Sequence, residues 1–599
     1  MASEEEDSTV LNRPAAKKYE IAYQAHPEPS NPKERAREPS SRPVESIASF
    51  GFVQGILWAN AGFGKLRDRP ELDDVDPRYE PTVIKTNCSK ATLDNKYLST
   101  LAGEDWTPKQ PPSRKTTFPS ALDYHEAYKS GRLTPTQVAE ALMPLIRRDV
   151  ENATQHSIAF LSTRVDLVRK AAEESTARWK AGKPFSPLDG VPMAVKDEED
   201  LTGYTKSLGS KLDFTSKTDA TSYCVQKWID AGAICLGKTA MHELGMDTTN
   251  NNPNFGTPRN PYNENYYCGG SSGGSAYSVG AGLIPFAMGN DGGGSIRIPS
   301  AYCGLYGLKT SSGRVSIRPS SNLAKSTGVA GPIAANMVDL ELAYRVMAQP
   351  DSLHNESSLF MAPASVQANQ AGRKKVLGVY RTWFDRADAS IQKVCWKALD
   401  YLTSQLGYEI VDISIPLVHE GQLAHAMTIL AEVASGIPSV KEVTSPNKVL
   451  ISVGKQTPAV DFLQAQKLRN LLMQHLAHLY EQHPGMIIVT PATPNAGWHI
   501  HPNDLKYGCS DANTQVRNME YAWLANFAGC PAISMPAGYV DPVESDGKVP
   551  IGLMGMSEWC CEDELVAFGY DAEKWLHEGL EGGRPRPQNF VDVLALAQA

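Results

Sequence analysis

Helical and strand-like hydrophobic patterns alternate along the chain from about residue 120 onward. A helix is predicted to begin at Thr134, because threonine is a good N-cap, Pro135 suits a first helical turn, and apolar residues follow at helical spacing. Further helices are predicted near 165–180 and 389–406. Short apolar runs predict buried strands at 190–196, 374–380, 408–415, 486–492 and 530–538. This alternation predicts an α/β domain with a covered sheet.

The two ends of the chain depart from that pattern. Residues 1–45 are rich in Glu, Lys, Arg, Pro and Ser with few aromatics, so we predict a disordered tail. Residues 46–118 form an extension of unassigned role, ending in a proline- and charge-rich linker. We therefore expect one large domain over 119–585, followed by a C-terminal tail at 586–599.

Composition and charge narrow the class of protein. The 599 residues carry a formal charge of −9 with no clustered basic run, so nucleic acid is not an expected partner. The acidic N-terminus is unlike a secretory signal, and the most apolar stretch, 47–64, is interrupted by polar residues, so we expect no integral membrane segment. The ten scattered cysteines lack a CxxC pair, which is typical of a reduced, cytoplasmic protein.

One histidine pair is a candidate metal ligand. His499 and His501 lie two residues apart in the sequence WHIH. Because no third ligand of matching spacing is nearby in the sequence, we predict no metal site.

Residues 232–239 read GAICLGKT and formally match a phosphate-binding loop. Such a loop must curl so that its backbone N–H groups converge on an anion. Here the middle residues are Ala, Ile, Cys and Leu, which favour a buried strand, and a helix end precedes them. We therefore predict a strand at this position and no nucleotide site.

A second motif, GSSGG at 270–274, fits the nucleophile elbow of serine hydrolases, with Ser272 as the attacking residue. An elbow follows directly on a strand, whereas the preceding residues, NPYNENYYC, favour a loop. His499 or His501 could still complete a triad. An elbow-type hydrolase therefore stays open as an alternative.

The longest candidate motif joins two glycine- and serine-rich segments, GGSSGGSA at 269–276 and GNDGGGSIRIPSAYCG at 289–304. A flexible linker would have polar neighbours, but the connecting segment, YSVGAGLIPFAMG, is small and apolar. Two glycine-rich turns joined by a buried segment indicate backbone brought close to a ligand.

These segments resemble the amidase signature hydrolases. The resemblance extends from about 120 to about 585 and rests on GVPMAVKD (190–197), GAICLGKTAMHELG (232–245), NFGTPRNPYN (254–263), GGSSGGSA, DGGGSIRIPSAYCGLYGLKTSSGRVS (291–316) and NFAGCPAISMPAG (526–538). It implies a single large α/β domain with a mixed central sheet covered by helices on both faces. It also implies a reaction that needs no metal or organic cofactor.

The resemblance implies a Ser–Ser–Lys triad. Ser295 would be the nucleophile, Ser271 the proton relay and Lys196 the base. A serine hydroxyl needs such a base to attack, and burial at the end of an apolar strand disfavours the charged form of a lysine. From the residues alone, an ion pair with the acidic residues 197–199 is the competing role for this lysine.

The family pattern also assigns supporting positions. It implies a cis peptide bond between Gly270 and Ser271, with Ser272 supporting that geometry by hydrogen bonding. Gly245 matches a pocket-lining position by spacing.

The backbone N–H groups of Gly292, Gly293, Gly294 and Ser295 would form an oxyanion hole. Asn290 and Gly292 replace a threonine and a larger residue that are common in relatives. This departure predicts a more flexible loop with more space beside it. Asp291 and Arg297 would pair to hold the loop or form an ordinary surface ion pair.

The resemblance therefore implies an amidase acting on a small or medium-sized amide, such as an aryl, fatty-acyl or secondary-metabolite amide. The alternative within the same resemblance is the amidase subunit of a tRNA-dependent amidotransferase. The helical segment 417–485 is expected to build the acyl pocket. Its apolar residues would line that pocket or belong to the core. A homodimer is left open.

Overall fold

The computed structural model describes residues 8–23, 51–87, 118–363, 374–509 and 511–599. Two of its strands form a small separate sheet, and the others form one large sheet. The strands are β1 (Ser8–Leu11), β2 (Ile84–Asn87), β3 (Phe160–Ser162), β4 (Pro192–Lys196), β5 (Ile234–Thr239), β6 (Phe286–Asp291), β7 (Tyr306–Lys309), β8 (Val329–Ala334), β9 (Val376–Val379), β10 (Glu409–Asp412), β11 (Met486–Pro491), β12 (Ala532–Val540) and β13 (Val549–Met556).

Helices connect and cover these strands. They are α1 (Gly51–Asn60), α2 (Ala121–Lys129), α3 (Pro135–Ile146), α4 (Val165–Lys180), α5 (Tyr223–Asp230), α6 (Gly273–Gly280), α7 (Arg297–Tyr302), α8 (Met337–Met347), α9 (Arg381–Phe384), α10 (Ala389–Leu406), α11 (Val418–Gly436), α12 (Ser445–Lys455), α13 (Ala459–Gln482), α14 (Asp504–Tyr507), α15 (Ala512–Asn518), α16 (Trp523–Ala528), α17 (Glu562–Lys574) and α18 (Val593–Gln598).

The large sheet has eleven strands in the order β10-β9-β11-β13-β12-β7-β8-β6-β4-β5-β3. It is mixed, because β4 pairs in parallel with β5 and β6, whereas β12 is antiparallel to both of its neighbours. Every residue of β6, β8, β11 and β13 is buried. Successive side chains of a strand point to opposite faces, so both faces of the sheet are covered. The predicted α/β fold with a mixed, covered sheet is confirmed.

Local sequence signals explain several of these elements. The helix α3 begins as predicted, with Thr134 as N-cap and a capping box completed by Gln137. The apolar runs became β4, β9, β10, β11 and β12 within a few residues of their predicted bounds. The segment 232–239, which formally matches a phosphate loop, contains the buried strand β5, as predicted from its apolar residues.

The pairing of β4 with β6 positions the candidate site. Val195 of β4 pairs in parallel with Met288 of β6. Parallel strands end at the same edge of a sheet, so Lys196 at the end of β4 lies beside the glycine-rich loop that follows β6.

The N-terminal residues differ from the prediction. The expectation of disorder over 1–45 is wrong for residues 8–23, because β1 pairs with β2 and Arg13 donates to Glu558. Residues 24–45 lie outside the described part of the chain, as does the linker up to residue 117. At the other end, the predicted tail contains α18, whose Val593 and Leu594 are buried. Among the described helices, none is both long enough and apolar enough to span a bilayer.

Candidate active site

Lys196 is buried at the end of β4, with 1% of its surface exposed. Its Nζ donates to Ser271 Oγ at 2.9 Å and to the carbonyl oxygen of Asn290 at 3.3 Å. The same nitrogen lies 2.9 Å from Glu198 Oε2. Lys196 therefore contacts both the predicted relay serine and one of the acidic residues considered as its partner.

Ser271 lies on a loop of unusual backbone geometry. The Gly270–Ser271 peptide bond is cis, as predicted. The carbonyl oxygen of Ser271 accepts a hydrogen bond from the backbone N–H of His242 at 3.1 Å. A Cβ placed on Gly245 would lie 3.6 Å from Ser271 Oγ, so Gly245 leaves open the space directly beside this hydroxyl.

Ser272 joins the two glycine-rich segments. Its hydroxyl donates to the carbonyl oxygen of Asn290 at 3.1 Å, and its backbone N–H donates to the carbonyl oxygen of Ser295 at 3.2 Å. The residue is fully buried. A buried hydroxyl engaged in this way is poorly placed to attack a substrate, which argues against the elbow-type hydrolase and fits the predicted supporting role.

Ser295 lies at the end of the glycine-rich loop and is partly exposed, unlike Ser271 and Ser272. Its hydroxyl forms no hydrogen bond with any residue in the described ranges, so a direct bond to Ser271 Oγ is not formed. Catalytic hydrogen bonds are often long in ligand-free structures and tighten when substrate binds. The arrangement thus presents one reachable serine next to a buried serine–lysine pair.

Asp291 and Arg297 form an ion pair beneath the surface, in contact with the glycine-rich loop. Both are fully buried, and the guanidinium forms two hydrogen bonds with the carboxylate, at 2.9 and 3.0 Å. Burial alone would raise the pKa of Asp291, but Arg297 and backbone N–H groups of the loop outweigh it and hold that pKa well below its ordinary value. The pair is buried and not on the surface, and its contacts with the N–H groups of Gly294 and Ile296 are those expected of a pair that holds the loop.

The predicted oxyanion donors do not all remain available. The N–H of Gly294 donates to Asp291 Oδ1 at 2.7 Å, so its predicted role as an oxyanion donor is not supported. Within the described ranges, the N–H groups of Gly292, Gly293 and Ser295 have no protein acceptor. Gly294 has a different use: its φ is +116°, and a Cβ there would lie 2.6 Å from the side chain of Ile298.

The helix α11 supplies two residues that the sequence did not indicate. His425 Nε2 lies 2.8 Å from the carbonyl oxygen of Gly292, and burial lowers the pKa of His425 to about 4. The neutral ring therefore donates through Nε2–H, since a carbonyl oxygen can only accept. The C=O and N–H of a trans peptide point in opposite directions, so this contact turns the N–H of Gly293 away from His425.

Ile429, one helical turn after His425, closes the space beside the loop. Its Cδ1 lies 3.2 Å from where a Cβ on Gly292 would be. The extra space predicted from the glycine at this position is therefore occupied by an apolar side chain from α11. Helical spacing places His425 and Ile429 on one face, but no sequence motif marks that face as the one turned to the loop.

Glu199 is a buried acid that contacts Asn290, the residue whose carbonyl oxygen accepts from Lys196. Its carboxylate accepts hydrogen bonds from Asn290 Nδ2 at 2.7 Å and Ser222 Oγ at 2.6 Å. Complete burial outweighs these bonds and raises the pKa of Glu199 to about 7. The carbonyl oxygen of Asn290 also accepts from Lys196, so Asn290 contacts both this acid and the lysine.

We expect the Glu199→Gln variant to gain stability relative to wild type as pH rises. Between pH 4.5 and about 7 the folded protein holds a proton on Glu199 that the unfolded chain has lost, so wild-type stability falls across this range. The slope is at most about 1.4 kcal/mol per pH unit for one group. Urea unfolding near pH 5 and pH 8 gives the free energy of unfolding of both proteins. The gap between wild type and variant should change by about 1–3 kcal/mol from the lower pH to the higher. A pH-independent difference would contradict the expectation.

Comparisons with known proteins agree with this geometry. A family model described as Amidase matches residues 141–566. The chain is 33% identical over 485 residues to a fatty acid amide hydrolase of Medicago truncatula, covering 79% of this chain and 78% of that protein. It is 31% identical over 451 residues to a glutamyl-tRNA(Gln) amidotransferase subunit of Pseudomonas savastanoi pv. phaseolicola, covering 69% and 89%.

A solved structure shows the same fold. It is the inhibitor-bound form of a vestigial protein complex that bears on the origins of an s-triazine catabolic enzyme. The two chains superimpose with a TM-score of 0.67 at 28% identity, over 77% of this chain and 99% of that one. The chain therefore belongs to the amidase family, with the amidase signature fold, and is an amide-hydrolysing enzyme.

Proposed function

We propose that Ser295 attacks the amide carbonyl, with Ser271 as the proton relay and Lys196 as the base. The observation that carries this assignment is the 2.9 Å contact between Lys196 Nζ and Ser271 Oγ, with the reachable Ser295 on the adjoining loop. Lys196 takes a proton from Ser271 while Ser271 takes the proton of Ser295, which raises the nucleophilicity of Ser295.

The same groups complete the reaction. Attack forms a C–O bond to Ser295 Oγ and an oxyanion, which the free N–H groups of Gly292, Gly293 and Ser295 stabilise. Breakage of the C–N bond releases the amine, which takes the proton returned through Ser271. Water then adds to the ester carbon, the acyl–O bond breaks, and the carboxylic acid leaves with Ser295 again protonated. His425 acts as a positioning residue, because it orients the Gly292–Gly293 peptide.

We propose an amide with an apolar acyl or aryl group as substrate. Ile429 faces the loop from α11 and gives this side of the site an apolar surface. Met519 Sδ would lie 3.4 Å from a Cβ on Gly293, which adds a second apolar contact. The similarity to fatty acid amide hydrolases supports the same class. A long or aromatic acyl group gains free energy from such a surface in proportion to the apolar area it buries.

The purified full-length protein tests this proposal against a panel of amides. A long-chain N-acyl amide, an anilide, an acetyl amide of the same amine and glutamine would be compared by amine or ammonia release. We expect kcat/KM for the long-chain or aryl substrate to exceed that for the acetyl amide at least about ten-fold, since each buried CH₂ contributes about 0.8 kcal/mol. Equal rates for both would contradict an apolar acyl site.

The similarity to a glutamyl-tRNA(Gln) amidotransferase favours a second candidate, a protein that works only within a complex. That relative aligns with a smaller share of this chain than the fatty acid amide hydrolase does, 69% against 79%. Glutamine hydrolysis that appears only when partner subunits are added would favour this candidate, whereas hydrolysis of acyl amides by the isolated chain favours the first.

A further inference from the structure

Three potential metal ligands converge at a point that plays no part in the Ser–Ser–Lys arrangement. They are His499, His501 and Glu544. Nδ1 of His499 lies 3.1 Å from Glu544 Oε2, and Nδ1 of His501 lies 4.0 Å from the same oxygen. The three ligand atoms all lie within 4.8 Å of one another.

The backbone places these side chains together. His499 forms an isolated β-bridge with Tyr266, and Ile500 packs against a buried cluster that includes Trp498. Residues in an extended segment alternate in direction, so His499 and His501 both point away from that cluster. Their ring centroids are 5.1 Å apart.

Glu544 comes from a different segment, the connection 541–548 between β12 and β13. Asn263 fastens this connection by donating to Ser545 Oγ at 3.1 Å and to the carbonyl oxygen of Asp546 at 2.9 Å. The third ligand therefore lies 43 residues beyond His501 in the chain, which is why spacing in the sequence did not reveal it. The expectation of no metal site rested on that missing ligand.

The separations are compatible with a transition-metal site. With metal–ligand bonds of about 2.0–2.2 Å, neighbouring ligand atoms of a tetrahedral site lie about 3.3–3.6 Å apart. The two distances to Glu544 Oε2 bracket that range. His499 Nδ1 is shielded from solvent and has no hydrogen-bond partner among the described residues, although a carboxylate oxygen lies 3.1 Å away. An ion between the three atoms would give this nitrogen a partner.

We propose that His499, His501 and Glu544 bind one divalent transition-metal ion of the Zn²⁺ class. Two imidazole nitrogens and one carboxylate oxygen are ligands that such ions prefer. A fourth position would face the surface depression of about 500 Å³ that both histidines line. The ion would tie the β12–β13 connection to the bridge at Tyr266. This proposal does not depend on the amidase mechanism.

Metal titration of the full-length, tag-free protein tests the proposal. After treatment with a chelator and its removal, Zn²⁺ would be titrated in near pH 7.5, where neutral imidazole can ligate. We expect one equivalent to bind, and its affinity to fall at least about ten-fold in both His501→Ala and Glu544→Gln. Co²⁺ in place of Zn²⁺ should give the visible absorption of a four-coordinate site in wild type alone.

A matched control is Glu264→Gln, which removes a carboxylate from the same depression without touching the three ligands. Its Zn²⁺ affinity should equal that of wild type. Circular dichroism and retained amide hydrolysis would establish that the two ligand variants are folded. No stoichiometric binding by wild type, or binding unchanged in both ligand variants, would overturn the proposal and leave a histidine–glutamate ion pair.

Discussion

Replacing Ser295 with alanine is expected to abolish amide hydrolysis and covalent labelling by a fluorophosphonate. The loss in kcat should reach at least about 10⁴-fold, because without the nucleophile only binding and the oxyanion donors remain. Ser295 touches its neighbours mainly through its backbone, since its carbonyl oxygen accepts from Ser272 N–H and its hydroxyl is unbonded among the described residues. The variant should therefore fold as wild type does, and gel fluorescence after labelling gives the readout.

Ser272→Ala is the matched control for that experiment. Its hydroxyl joins the two glycine-rich segments through the backbone of Asn290, so its loss should cost about 0.5–1.5 kcal/mol of stability. Labelling should persist in this variant, with slower hydrolysis. If labelling instead disappears in Ser272→Ala and survives in Ser295→Ala, the elbow-type hydrolase is the correct assignment.

The Lys196→Met variant is expected to lose at least about 10³-fold in kcat, since a positioned general base contributes about 10²–10⁴-fold and the triad acts as a unit. Methionine keeps most of the buried volume and removes the nitrogen that contacts Ser271. Steady-state kinetics should show the loss in kcat with little change in KM. A variant that retains wild-type kcat would exclude Lys196 as the base.

The Glu198→Gln variant tests whether the carboxylate beside Lys196 takes part in the reaction. The Glu198 carboxylate lies 2.9 Å from Lys196 Nζ, but the proposed proton transfer involves only Lys196, Ser271 and Ser295. Removing the carboxylate should therefore cost far less in kcat than Lys196→Met does, because Glu198 transfers no proton in the proposed mechanism. A loss in kcat as large as that of Lys196→Met would show that Glu198 is part of the proton-transfer system.

Local signals in the sequence predicted much of the fold and part of the site. The apolar run before Lys196 and the capping pair at Thr134 each determine an element by short-range physics, and both elements formed as expected. For Asp291 and Arg297 the sequence left two options, a pair that holds the loop and a surface ion pair. A separation of six residues permits contact between the side chains but does not reveal whether they are buried. Only the packing of other elements over the loop excludes water from it.

Contacts between distant segments could not be predicted in this way. His425 and Ile429 reach the glycine-rich loop because α11 packs over it, and the sequence of α11 is apolar on more than one face. The loss of Gly294 as an oxyanion donor depends on where Asp291 points, which is a matter of loop conformation. Glu544 meets the two histidines only because the β12–β13 connection bends toward Tyr266.

The strand Ser8–Leu11 has a practical consequence for producing the protein. It pairs with Ile84–Asn87, and Tyr19 a few residues later donates to Gln474 on α13. The helix Val593–Gln598 packs at the other end against α3. The folded part of the chain thus extends beyond the family match at 141–566. An expression clone limited to that match would lack the packed segments on both sides of it. Clone boundaries should follow these contacts, with any purification tag set off by a spacer.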